Sequence, residues 1–165
     1  MYQEIQPESD DPQDAKPQGE PVTAGRAQDG PALSTVALAI PADRDQVVLV
    51  RSVAAHIGVR LGLTVEELTD LRLAVDEACG VFLLSPDFGG LGEALDCRFE
   101  ELPGEDGASG MLVVTVSAPV GPTLGPDEDD IGWIMLGALV DELTWRTENG
   151  LGTVRLVKRL ARREV

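Results

Sequence analysis

The residue in this sequence best suited to chemistry is Glu77. At 100° per residue, Asp70, Leu73, Glu77, Val81 and Leu84 gather on the side of a long helical segment opposite its main apolar stripe, with Ala74 at the edge. The back of a solvated helix is normally polar. Three large aliphatics around one glutamate therefore mean that this side lines a cavity or that another layer of the protein covers it. A carboxylate half-buried beside apolar groups holds its proton more tightly than in water and can serve as a general base. The plainer reading is a rim carboxylate on a helix packed between two layers. Other reactive residues are few. Cys79 and Cys97 show neither CxxC nor metal-ligand spacing and sit in apolar patterns, so small core residues are expected. His56 is the single histidine and cannot build a His-based metal cluster; no metal site is expected. The glycine-rich stretch Gly89–Gly92 suits a phosphate loop by composition only: it has no lysine, no GxGxxG, and follows a helix rather than a strand.

The elements that must position Glu77 are legible around it. Thr64-Val65-Glu66-Glu67 is a capping box opening a helix, and Leu68, Leu71, Val75, Ala78, Cys79 and Phe82 continue it as one stripe to about Leu84, where Ser85-Pro86 ends it. Before it, Ser34–Ile40 reads as a strand and Asp43 as the N-cap of a helix to about Arg60, with Val47, Val50, Val53, Ala54 and Ile57 inward. Arg44 and Arg51, seven apart, would share one side of that helix, and Gly58 and Gly62 would loosen its end. After it come strands at Ala94–Glu101 and Met111–Ala118, an acid run Asp127-Glu128-Asp129-Asp130, and a short apolar helix from Ile131 to Val140. Strands Glu142–Thr147 and Thr153–Leu160 close the pattern, joined by Asn149-Gly150, which suits a hairpin. The order β-α-α-β-β-α-β-β argues for an α+β two-layer sandwich, a mostly antiparallel mixed sheet with helices on one face.

Charge narrows the partners. The chain of 165 residues carries a net −16 at a pI near 4.2, a field that repels phosphate backbones, so no direct nucleic-acid binding is expected. The same field steers towards basic protein surfaces. Residues 1–31 hold five prolines and seven acids against Lys16 and Arg26, a net of −5 with few apolar residues, and are expected to be a disordered acidic tail ahead of one folded domain, 32–165. No apolar run approaches the roughly 18–20 residues needed to span a bilayer. The N-terminus lacks the basic and apolar regions of a secretion signal. No membrane association and a cytoplasmic location are expected.

The stretch Leu71-Arg72-Leu73-Ala74-Val75-Asp76-Glu77-Ala78-Cys79 resembles the N-box helix of the GHKL (histidine-kinase-like ATPase) superfamily, and more narrowly its anti-sigma factor/serine kinase branch. The resemblance runs from about residue 34 to 160, includes Leu139–Leu143 and Gly152–Leu156, and suggests an actinobacterial member. It implies the histidine-kinase-like ATPase fold. It also implies that Glu77 stands where the family's base activates the hydroxyl or water attacking the γ-phosphate. The magnesium-holding asparagine one turn later is replaced by Val81, which offers no oxygen to a hard cation. The strand end Val116-Ser117-Ala118-Pro119-Val120-Gly121 lacks the family's adenine-reading aspartate. The second glycine box would fall near Asp130–Trp133, with Gly132 as its remnant behind four consecutive acids that repel a triphosphate. Each lost contact costs on the order of 1–3 kcal/mol.

The resemblance therefore implies a binding role: a pseudokinase anti-sigma factor that holds an alternative sigma factor, of stress or developmental type, and releases it to an anti-anti-sigma protein. Arg44, Arg51 and Asp127, Glu128, Asp129 and Asp130 are the expected partner contacts, each with a plain solvated-surface alternative. Trp133 and Trp145 are expected in the core. A homodimer paired through the sheets is the assembly the resemblance suggests. No cofactor is expected; ATP and magnesium would be the cofactors under the competing reading, an active serine kinase that phosphorylates an anti-anti-sigma protein with Glu77 as base.

Overall fold

The computed structural model describes residues 32–85, 93–104, 109–122 and 125–161, so the expectations for the tail 1–31 and for Gly89–Gly92 lie outside the described residues. The elements follow in the order β1 (Ser34–Pro41), α1 (Val47–Leu61), α2 (Val65–Leu83), β2 (Ala94–Leu102), β3 (Met111–Pro119), α3 (Ile131–Leu139), β4 (Glu142–Glu148) and β5 (Leu151–Arg159). They build an α+β sandwich: one five-stranded sheet of order β1-β2-β3-β5-β4 with the three helices packed over its apolar face.

Every pairing in the sheet is antiparallel, so the expected mixed character is absent among the described strands. The connections explain it. Two helices between β1 and β2 make three reversals of the chain and return it antiparallel to where it started. The single helix α3 between β3 and β4 makes those two strands run the same way, but β5 is inserted between them and is antiparallel to both. The β4–β5 turn is two residues long, and both take positive φ, 51° at Asn149 and 76° at Gly150. That is the backbone a tight hairpin with right-handed strand twist requires, and Asn-Gly is the pair that adopts it at least cost.

Alternation sets the faces. Leu95, Cys97 and Phe99 of β2, Leu112, Val114, Val116 and Ala118 of β3, and Val154 and Leu156 of β5 are buried towards the helices, while Asp96 and Arg98 between them are exposed. Against this floor α1 sets Val47, Val50, Ala54 and Ile57, and α2 sets Leu71, Ala74, Val75, Ala78, Cys79 and Phe82. Trp133 and Trp145 pack on the same core, with the Trp145 ring 5.6 Å from that of Phe82. A smaller cluster, Leu102, Val113 and Val157, lies apart from this core, with Ala32 and Met111 packed against it.

Two local expectations change. Asp43 accepts a hydrogen bond from the Asp45 N–H and caps a 3₁₀ turn, Arg44–Gln46, not α1 itself, which begins at Val47. Gly58 and Gly62 do not loosen α1 either. The helix runs through Gly58, where any side chain would collide with Leu68 of α2, and ends on Gly62 in the left-handed conformation, φ 77°, whose N–H caps the last turn. Gly58 is small because the two helices cross there.

Candidate functional site

α2 carries the site, and its N-terminus is fixed by the capping box: the Thr64 N–H donates to Glu67 Oε2 at 2.9 Å and the Glu67 N–H to Thr64 Oγ1 at 3.2 Å. With the start fixed and the Leu71–Phe82 stripe buried, the rotation of α2 is set, and Glu77 is turned away from the sheet. The covering layer expected on that side is present in part. α3 supplies the second layer at Glu77, which is half-buried, while Leu73 and Leu84 remain 45% and 65% exposed. Val81, one turn beyond Glu77, is half-buried against the core and offers only hydrocarbon.

The structure brings Glu77, Asp130 and Gly132 together. A methyl group placed on Gly132 would lie 3.2 Å from Glu77 Oε2 and 2.9 Å from Asp130 Oδ1. Gly132 is thus what lets the first turn of α3 approach the glutamate. Asp130 is the N-cap of α3: its Oδ1 accepts hydrogen bonds from the N–H groups of Gly132 at 2.8 Å and Trp133 at 3.3 Å. A helix N-terminus with free N–H groups binds anions. Here the chain's own carboxylate takes those donors, and a second carboxylate, Glu77, stands on the other side of Gly132. Two carboxylates thus flank Gly132 at the start of α3, which disfavours an anion at this helix N-terminus.

The rest of the acid run forms the turn into α3. The Asp129 N–H donates to Asp127 Oδ1 at 3.0 Å, the Asp130 N–H donates to the Asp127 carbonyl at 3.0 Å, and Asp127, Glu128, Asp129 and Asp130 are all exposed. At the end of β3, Ala118 is fully buried and Pro119 exposed, so no carboxylate projects from that strand end.

The two arginines part company. Arg44 is exposed on the 3₁₀ turn, so its seven-residue spacing from Arg51 no longer measures two turns of one helix. Arg51 on α1 reaches across to α2 and pairs with Asp76 at 3.3 Å, both side chains about two-fifths exposed, while its Nε is buried without a hydrogen-bond partner. The pair borders a groove of about 250 Å³ between α1 and α2, lined by Arg51, Thr69, Arg72, Leu73 and Asp76. Sequence reasoning missed this groove, although Thr69, Arg72, Leu73 and Asp76 fall at i, i+3, i+4 and i+7 and so share one edge of α2. Neither Glu77 nor Gly132 lines this groove.

Cys79 and Cys97 are both buried free thiols of the core. The hydrogen bond that the Cys79 thiol donates to the neighbouring sulfur of Cys97, with burial and the charges of Cys97 and Asp76 adding to it, pushes the Cys79 thiol well above its ordinary range. No helix among the described residues is long and apolar enough to cross a membrane, and no cluster of three metal-ligating side chains occurs among them.

No family model matches the sequence, and no curated protein matches it. Among solved structures, the chain is similar to the crystal structure of the RsbU and RsbW domains of Rv1364c from Mycobacterium tuberculosis, with a TM-score of 0.54 and 16% sequence identity. The match covers 77% of this chain and 32% of that one, so this chain spans about a third of the length of that structure. At this identity the likeness establishes a shared fold, the sandwich of antiparallel sheet and helices described above.

Proposed function

We propose that the chain is an anti-sigma factor: it sequesters an alternative sigma factor, of stress or developmental type, and is released by an anti-anti-sigma partner, with ATP binding weak or lost. The observation that carries this reading is the self-capped N-terminus of α3. Asp130 holds the two N–H groups that a phosphate would need, and Glu77 presents a second carboxylate across Gly132. Val81 adds the loss of a magnesium ligand at the next turn of α2. A shared fold with a structure that contains an RsbW domain, and the N-box resemblance of Leu71–Cys79, support a sigma factor as the partner. The net charge of −16 suits a basic partner surface and opposes a bare phosphate backbone. Arg51 beside the α1–α2 groove, Arg44 on the 3₁₀ turn, and the exposed turn Asp127–Asp130 are the proposed contacts.

The test has two arms. The chain, immobilised, should capture a sigma factor and an anti-anti-sigma protein from an extract of its native host, identified by mass spectrometry; recovery of neither sinks the partner claim. Calorimetric titration with magnesium and ATP should show no micromolar binding. Heat of binding in that range, with phosphate transferred to an anti-anti-sigma serine, would instead support the kinase reading, which the retention of Glu77 favours.

A further inference from the structure

We infer that the outward face of α3 is a docking surface for an amphipathic helix of a partner protein, one that offers apolar side chains at i, i+3 or i+4, and i+7 beside a Lys- or Arg-bearing flank. This deepens the sequestration reading and rests on it only for the partner's identity. The residues of α3, Ile131 to Leu139, include no charged or hydrogen-bonding side chain apart from the indole of Trp133. Leu136 faces the core and is fully buried, yet Ile131, Ile134 and Met135 remain 74%, 58% and 44% exposed, and exposed Ala138 continues the row. Positions 131, 134, 135 and 138 form one stripe about 10 Å long on the side opposite Leu136. A helix apolar on every side is ordinarily covered on every side. The fold covers one side of α3 and leaves the other in water.

Charge around the stripe selects what covers it. Glu128 and Asp129 stand exposed in the turn leading into α3 and pair with no cation among the described residues, whereas past its far end Asp141 accepts from the Arg159 N–H and Glu142 pairs with the Arg159 guanidinium. A basic flank on the incoming helix is attracted at the start of the stripe. The same charge works against the two occupants nearest at hand. Residues 1–31 carry a net −5. A second copy of α3 laid parallel would bring its own Glu128 and Asp129 against these, and two copies of a chain with net −16 repel one another in any arrangement. An apolar face laid on an apolar stripe, with complementary charge at the rim, is the helix-in-groove mode of recognition.

The probe is a fluorescein-labelled synthetic 18-residue helix with leucines on one face and lysines elsewhere, titrated by fluorescence anisotropy with the full chain, its Ile134→Asp and Ile134→Ala variants, and a control peptide with glutamate for lysine. The lysine peptide should bind the wild type and the glutamate peptide should not. Ile134→Ala should weaken binding roughly tenfold, and Ile134→Asp at least about 100-fold, since it buries an unpaired charge. Because Ile134→Asp makes the surface more acidic, equal or tighter peptide binding to that variant means attachment by charge alone and overturns the proposal. Sedimentation showing a wild-type dimer that Ile134→Asp dissociates also overturns it, in favour of a second copy. Ile134→Ala keeps the test decisive if the aspartate variant folds poorly. The two readings come apart cleanly: capture of a sigma factor by wild type and Ile134→Asp alike leaves sequestration standing and removes α3 from it. Peptide binding lost on Ile134→Asp, with no sigma factor captured, supports α3 and sinks the sigma partner.

Discussion

Replacing Asp130 by alanine removes the oxygen that accepts from the Gly132 and Trp133 N–H groups at 2.8 and 3.3 Å. Loss of an N-cap side chain costs about 0.5–2 kcal/mol, and loss of a negative charge at a helix N-terminus roughly 0.3–1 kcal/mol more. Relief of repulsion with Glu77 across Gly132 offsets part of that, so a net loss of about 1–2 kcal/mol is expected. With an unfolding entropy near 2.1 cal/mol/K per residue, a body of about 120 residues loses roughly 4 °C in Tm for each kcal/mol. Asp130→Ala should therefore melt about 4–8 °C below the wild type. Asp130→Asn keeps an accepting oxygen and loses only the charge, so it should stay within about 2 °C. Differential scanning calorimetry of the three proteins separates hydrogen bonding from charge. If alanine melts with the wild type, or asparagine falls as far as alanine, Asp130 is not what satisfies the start of α3. The reasoning that a carboxylate occupies an anion site would then be wrong.

Gly152→Ala should cost about 1–3 kcal/mol in urea denaturation, because a methyl group there lies 2.6 Å from Trp145 Cη2 and 2.9 Å from Val120 Cγ1 in a filled core. The Cys79 thiol, pushed up from its ordinary 9.0, stays protonated in the folded chain while it ionises in the unfolded chain. Its contribution to stability is therefore fully present below about pH 9 and is lost progressively as pH rises above that, a slope that Cys79→Ala should remove from a pH series of denaturant melts. Arg51→Gln breaks an ion pair whose side chains are 39% and 43% exposed, so stability should change by less than about 1 kcal/mol, while capture of the sigma factor should weaken several-fold. A stability loss well above that figure would make Arg51 a structural residue instead.

Local chemistry was legible in the sequence. The Thr64–Glu67 box, the Leu71–Phe82 stripe and the Asn149-Gly150 turn each depend on residues a few positions apart, and each appears in the structure as read. The alternation that gives β2, β3 and β5 their inner faces was legible for the same reason. What was not legible depends on distant partners. The insertion of β5 between β3 and β4, and with it the wholly antiparallel sheet, follows from strand pairing that no local period encodes. That Arg51 meets Asp76, and that the two border a groove with Arg72, follows from how α1 crosses α2 at Gly58. Glu77 and Gly132 were each singled out in the sequence, but their contact exists only because α3 packs on α2. Arg44 and Arg51 show the opposite error. A spacing of seven was read as one helical face, and the 3₁₀ turn at Arg44–Gln46 breaks the count.

The place of β5 bears on how the chain reaches its native state. During synthesis the ribosome releases β4 before β5, so β4 emerges with no neighbour to bond to, and β3 waits with one side open. When β5 follows, it pairs with β4 across a two-residue turn and with β3 across separations of 32 to 48 residues, and this second, non-local pairing is the step that delays folding. Until those closing residues clear the exit tunnel, the nascent protein shows unpaired β backbone on both sides of the gap, which is the surface chaperones recognise and aggregation exploits.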